Sequence, residues 1–136
     1  MSKSAIYTVN SSTQAIAINE NIQPATVVRK FGNNIVLAGD AIRVCGQGYY
    51  KVNANFTLSP TAIGTVTVTA YKDGVAVQGA TASENVATAN TPVNLALNFL
   101  IRENCPCCDS SSNLTFVLTG TPANNVNTAI VVEKIQ

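Results

Sequence analysis

The chain has 136 residues, 46% of them hydrophobic and only 11% charged, with a net charge of +1 and no histidine. That length suits one domain, 1–136, able to bury a core without staples, and the apolar content excludes a disordered chain. Near-neutral charge gives no electrostatic footprint for nucleic acid or an anionic membrane, and no apolar run approaches the roughly 18 residues of a membrane span.

The start, MSKSAIYTVN, lacks a basic region followed by an apolar core, so no secretory signal is read and synthesis in a cytoplasm is expected. Ile6 and Thr8 alternate with Ala5, Tyr7 and Val9, which makes residues 1–10 either a first strand or an anchoring segment able to add to a neighbour's sheet. Short strand-like runs follow at Gln14 to Ile18, Ala25 to Phe31, Ile35 to Ala38 and Ala41 to Cys45. In GYYKVNANFTL, Tyr50, Val52, Ala54, Phe56 and Leu58 share one face, and Tyr49, Lys51, Asn53, Asn55 and Thr57 the other. TVTVTAYK sets Val66, Val68 and Ala70 against Thr65, Thr67, Thr69 and Tyr71. Asp73-Gly74 then supplies the positive backbone angles of a two-residue hairpin turn. TPVNLALNFLIR has an inner row of Val93, Leu95, Leu97, Phe99 and Ile101, and SNLTFVLTG one of Leu114, Phe116 and Leu118. Such alternation is what half-buried antiparallel strands require, because successive side chains leave opposite faces of a sheet. Pro60, Pro92 and Pro122 fall at or near run ends, where a missing donor does least harm.

No segment carries a helical stripe. About eight to ten short strands without helices predict an all-β antiparallel sandwich, with a jelly roll as the favoured form. Two strands are apolar on both faces. Ile130 and Val132 oppose Ala129, Val131 and Ile135, and Ala96 and Leu100 interrupt the polar side of TPVNLALNFLIR. A doubly apolar strand is either central to a packed double layer or covered by another subunit. Charge at 11%, against a usual value of about 25%, favours the subunit and makes Ala96, Leu100, Ile130 and Val132 the interface candidates.

Chemistry has few footholds. Without histidine there is no Ser-His or Cys-His nucleophile pair, and the seven carboxylates fall mostly at turns and strand ends. No catalytic residue, metal or cofactor is therefore expected, and the chain reads as no enzyme. Asn10, Asn55 and Asn113 open glycosylation-type triplets, which chance explains in a chain so rich in Asn and Thr. The one unusual cluster is RENCPCCDSSS, with Cys105, Cys107 and Cys108 together and Cys45 far upstream. Four thiols suffice in number for zinc, but the spacing is not that of paired Cys-x-x-Cys knuckles. A redox reading of Cys105 to Cys108 lacks the strand-then-helix context that lowers a thiol pKa. A disulfide from Cys45 to one of the three, a disulfide between subunits, and plain thiols in a tight turn all stay open.

The order of these features resembles C1q/TNF-like domains of the small bacterial and phage type. GQGYYKVNANFTL, with Gly48, Tyr50 and Val52, is similar to their Gly-x-Tyr-x-aromatic strand, although Val52 and Ala54 stand where aromatics are common. VVRKFGNNIVLAGDAIRV, the VTVTAYKDGVAVQGATA hairpin and the closing TAIVVEKI resemble the neighbouring parts of that fold. The resemblance implies a homotrimer of jelly rolls and a structural role on a bacteriophage virion, as a capsid decoration or head fibre. Its partners would be other virion proteins, a capsid or fibre stem, with the protein reaching the virion surface after assembly in the bacterial cytoplasm. One alternative is a receptor-binding fibre tip that grips host surface glycan, with Tyr49 or Tyr71 stacking on sugar. Another is a bacterial spore-coat or surface structural protein. Neither nucleic acid nor membrane insertion is expected.

Overall fold

The computed structural model describes residues 3–103 and 111–135. Eleven strands run through them, with no helix: β1 Ala5–Asn10, β2 Gln14–Ile16, β3 Thr26–Phe31, β4 Ile35–Ala38, β5 Ala41–Cys45, β6 Gly48–Pro60, β7 Gly64–Lys72, β8 Val75–Val86, β9 Val93–Glu103, β10 Ser111–Thr119 and β11 Ala123–Lys134. They form two antiparallel sheets. The first has the order β3-β1-β11-β6-β9, with β2 pairing the start of β11, and the second is β4-β5-β10-β7-β8.

The period-two rows of the sequence are the walls of the core. Tyr50, Val52, Ala54, Phe56 and Leu58 of β6 are buried and face Val66, Val68 and Ala70 of β7 and Leu114, Phe116 and Leu118 of β10 across the sandwich. Phe116 stacks at a tilt on Phe56, 5.2 Å between centroids, and meets Phe99 edge-on at 6.4 Å. These offset geometries are the ones the ring quadrupole favours. Tyr50 brings a polar tip into this core. Its hydroxyl lies 2.9 Å from the Cys45 carbonyl and 2.7 Å from that of Gly46, so one of the two always accepts its proton. At the β7–β8 turn Asp73 and Gly74 have φ of 53° and 81°, the two positive angles that the Asp-Gly pair is suited to supply.

The first strand is settled by its pairing. β1 lies inside its sheet with β11 on one side and β3 on the other, and Ile6, Thr8 and Asn10 are buried. Both edges are occupied, so Ala5–Asn10 cannot add to a neighbour's sheet. Of the two readings of residues 1–10, Ala5–Asn10 takes that of a first strand.

Two features had no periodic signal. Residues 19–22 cross between the sheets and run beside β10, where the Asn19 and Ile22 amides donate to the Leu118 and Phe116 carbonyls at 2.7 Å each. This buries Ile22 completely. The second is a bulge in β11 between Asn125 and Asn127. Asn125 turns inward there, and its amide donates to the Asn10 and Ser12 carbonyls at 3.1 and 2.9 Å while its oxygen accepts from Thr128 at 2.6 Å. That network ties the β1–β2 loop to the start of β11. Gly120, with φ of 90°, closes the β10–β11 turn so tightly that a methyl there would strike the Thr65 carbonyl.

Candidate assembly face

The outer face of the first sheet follows from its register. One cross-strand row runs Phe31, Ala5, Glu133, Lys51, Leu100, and the next Arg29, Tyr7, Val131, Asn53, Asn98. Below them come Val9, Ala129, Asn55 and Ala96, then Asn127, Thr57 and Asn94. From Tyr7 to Asn98 and through the two rows beneath, no residue carries a charge. Strands facing water usually present Lys and Glu there, and this face presents Asn, Ala, Val and Thr.

At the margins, large apolar side chains stand open. Phe31 is 61% exposed and Leu100 55%. β3 is the extreme case, since all six of its residues are exposed although three of them are Val27, Val28 and Phe31. Among the described residues it pairs with β1 alone, and none of them covers its side chains.

The structure divides the four interface candidates. Ala96 and Leu100 are exposed on this face. Ile130 and Val132 are not on it: both are fully buried within the chain. They pair with Ala54 and Val52, members of the β6 core row, and cross-strand partners share a face. Ala129 and Val131 take the outward positions, which explains why β11 is apolar on both sides.

The remaining candidates do not converge. Tyr49 is 39% exposed on the first sheet's outer face, with the Arg102 guanidinium 5.6 Å above its ring. Tyr71 is half-buried on the outer face of the second sheet, opposite Thr115. A groove using both must take them from different subunits. Cys45 is half-buried at the end of β5, its carbonyl accepting from the Asn34 side chain at 2.7 Å, and it lies across from Ser111. Cys105, Cys107 and Cys108 lie outside the described residues. Among the described residues no three of His, Cys, Asp and Glu come together as metal ligands. Asn10, one of the glycosylation-type asparagines, is buried and donates to the Gln23 carbonyl at 3.0 Å. Glu103, one of the seven carboxylates expected at turns and strand ends, is instead buried and accepts from the Ser112 hydroxyl. The signal was its parity, since it continues the row of Leu97, Phe99 and Ile101.

Positive charge is segregated along the strands, while Asp73, Glu103 and Glu133 share its end. Glu133, Lys51, Leu100 and the β7–β8 turn lie at one end of the sandwich, and the Pro60–Ala123 pair and the Gly64–Val86 pair at the other. Every cation falls in the first half. Lys3 leads into β1, Arg29 and Lys30 end β3, Arg43 pairs with Asn113, and Lys51, Lys72, Arg102 and Lys134 line the strand ends. Glu20 and Glu84 mark the opposite half, beside Leu118 and Val66.

Strand order and register define a C1q/TNF-like jelly roll, and solved structures agree. Eiger TNF from S. frugiperda superposes with a TM-score of 0.71 at 10% identity, covering 98% of this chain and 92% of that one. The globular domain of zebrafish complement 1qA gives 0.70 at 6% identity with 97% of each chain covered. PRD1 vertex protein P5 gives 0.66 at 14% identity, covering 98% and 97%. No known sequence family matches the chain, and neither does any curated protein. These likenesses establish the fold.

Proposed function

We propose that this chain is a non-enzymatic structural protein that assembles as a homotrimer and serves on a bacteriophage virion as a capsid decoration or head fibre. The observation that carries the assembly is the outer face of the β3-β1-β11-β6-β9 sheet. An uncharged centre flanked by open Phe31, Leu100 and Val28 is the composition of an interface core rather than of a solvated sheet. Three-fold closure of such a face is heterologous: it meets a different surface on the next copy. The particle-surface role is supported by the full-length likeness to the phage PRD1 vertex protein, and the non-enzymatic reading by the absence of histidine and the dispersal of the carboxylates.

Purified particles of the phage encoding this chain test the role. The expected result is the protein on intact virions at a copy number divisible by three. Particles that lack it, in lysates where it is abundant, would overturn the virion reading.

A further inference from the structure

A cleft of about 450 Å³ opens at the cation-bearing end, between the β7–β8 turn and the last residues of β9. Val75, Val77 and Ile101 supply its apolar lining, Leu100 stands where it borders the assembly face, and Lys72 and Arg102 stand at its mouth. The Asp73 carboxylate is also there, but one of its oxygens already accepts from the Asn113 amide at 2.9 Å. Among the described residues neither Lys72 nor Arg102 is paired with a carboxylate. Val75, 70% exposed, is the most open large hydrophobic side chain of the described residues. Beside the cleft runs β9, an edge strand whose backbone is hydrogen-bonded to β6 on one side only.

From these features we infer that the cleft is a docking site for an acidic, extended protein segment with apolar side chains at alternate positions. Each part of the site selects one property of that occupant. Although β8 packs against part of β9, the backbone of β9 is hydrogen-bonded to β6 alone, so its last residues beside the cleft can take an added strand, whose alternate side chains point the same way, into the cleft. Val75, Val77 and Ile101 reward apolar groups there, which a polysaccharide or a nucleic acid backbone does not offer. Lys72 and Arg102, within a half-molecule whose eight cations outnumber the described carboxylates there, Asp73, Glu103 and Glu133, draw carboxylates to the rim and set the orientation of approach. The opposite end, with Glu20 and Glu84, repels the same partner. A trimer presents three such clefts on one end, so weak single contacts add by avidity. The partner assignment rests on the particle-surface reading only for where the segment comes from, the acidic surface of another virion protein.

The probe is a labelled peptide of about twelve residues alternating glutamate and leucine, titrated by fluorescence anisotropy against the full chain. Light scattering on the same samples reports assembly, so failure of docking and failure of trimerisation are read separately. The expected result is saturable binding that weakens about tenfold when salt is raised past the screening of surface charges. A glutamate–serine peptide should bind at least about fivefold more weakly, for want of apolar contacts. The double substitution Lys72→Glu and Arg102→Glu should weaken binding about tenfold or more, and Glu84→Lys should leave it unchanged. Val75→Glu, at an exposed turn position that carries no fold, should weaken binding without touching β9. Absence of peptide binding, or equal binding by the double variant and by Val75→Glu, would overturn the site. So would heparin or single-stranded DNA binding as tightly as the peptide, which would mean a plain polyanion surface.

Discussion

β1 and β3 are neighbours in one sheet, each six residues long and each with several apolar side chains, yet only β1 is buried. AIYTVN alternates half-buried and buried, while TVVRKF is exposed at every position. The difference lies in what faces each strand. β1 sits between two partners and above the second sheet, so Ile6 and Thr8 are sealed. β3 hangs at the edge on one set of backbone bonds, past the reach of the second sheet. A strand's burial is decided by the layer opposite it, and β3 has none among the described residues. That is why β3 and the sheet face it extends read as surface awaiting a second copy.

The contrast can be broken at several points. Ile6→Asp puts an unpaired carboxylate into the core and should cost more than about 4 kcal/mol, with loss of soluble protein. Deleting residues 2–10 should do the same, because the deletion removes a doubly paired strand. A soluble, folded truncation, judged by its circular dichroism, would show that β1 is dispensable. Asn125→Ala strands the Asn10 and Ser12 carbonyls at the end of β1 and should cost about 2–3 kcal/mol in urea unfolding. On β3 the outcome reverses. Phe31→Ser should leave the unfolding midpoint of dilute, dissociated protein within about 0.5 kcal/mol of wild type, yet weaken association about tenfold by sedimentation. The smallest effect is expected at Thr8, whose hydroxyl has no partner among the described residues. Thr8→Val should stabilise the chain by about 0.5–1 kcal/mol, since the isosteric methyl needs none.

Much of the fold was legible because period-two alternation maps directly onto sheet faces. The rows of β6, β7, β9 and β10 came out as read, as did the Asp73-Gly74 turn. β11 shows where that stops: alternation sorts its residues into two sets without saying which set faces the partner sheet. Charge scarcity alone puts Ile130 and Val132 at the interface, and only their register with Ala54 and Val52 returns them to the core. The bulge at Asn125 and the crossing of residues 19–22 were hidden for a different reason. Both depend on hydrogen bonds between segments about a hundred residues apart, as from Asn125 to Asn10 and from Asn19 to Leu118. The charge segregation was in the sequence throughout, but it is visible only once antiparallel pairing brings distant cations to one end.

The most direct measurement is the mass of the purified protein and of its Val131→Asp variant, by sedimentation equilibrium at micromolar concentration. Val131 lies half-buried at the centre of the uncharged face, and its neighbour in sequence, Val132, is in the core. The account predicts three times the 14.2 kDa chain mass for the wild type and a folded 14.2 kDa monomer for Val131→Asp, with association weakened about 100-fold. A wild-type protein that sediments at 14.2 kDa, or a Val131→Asp variant that keeps the trimer mass, would contradict it.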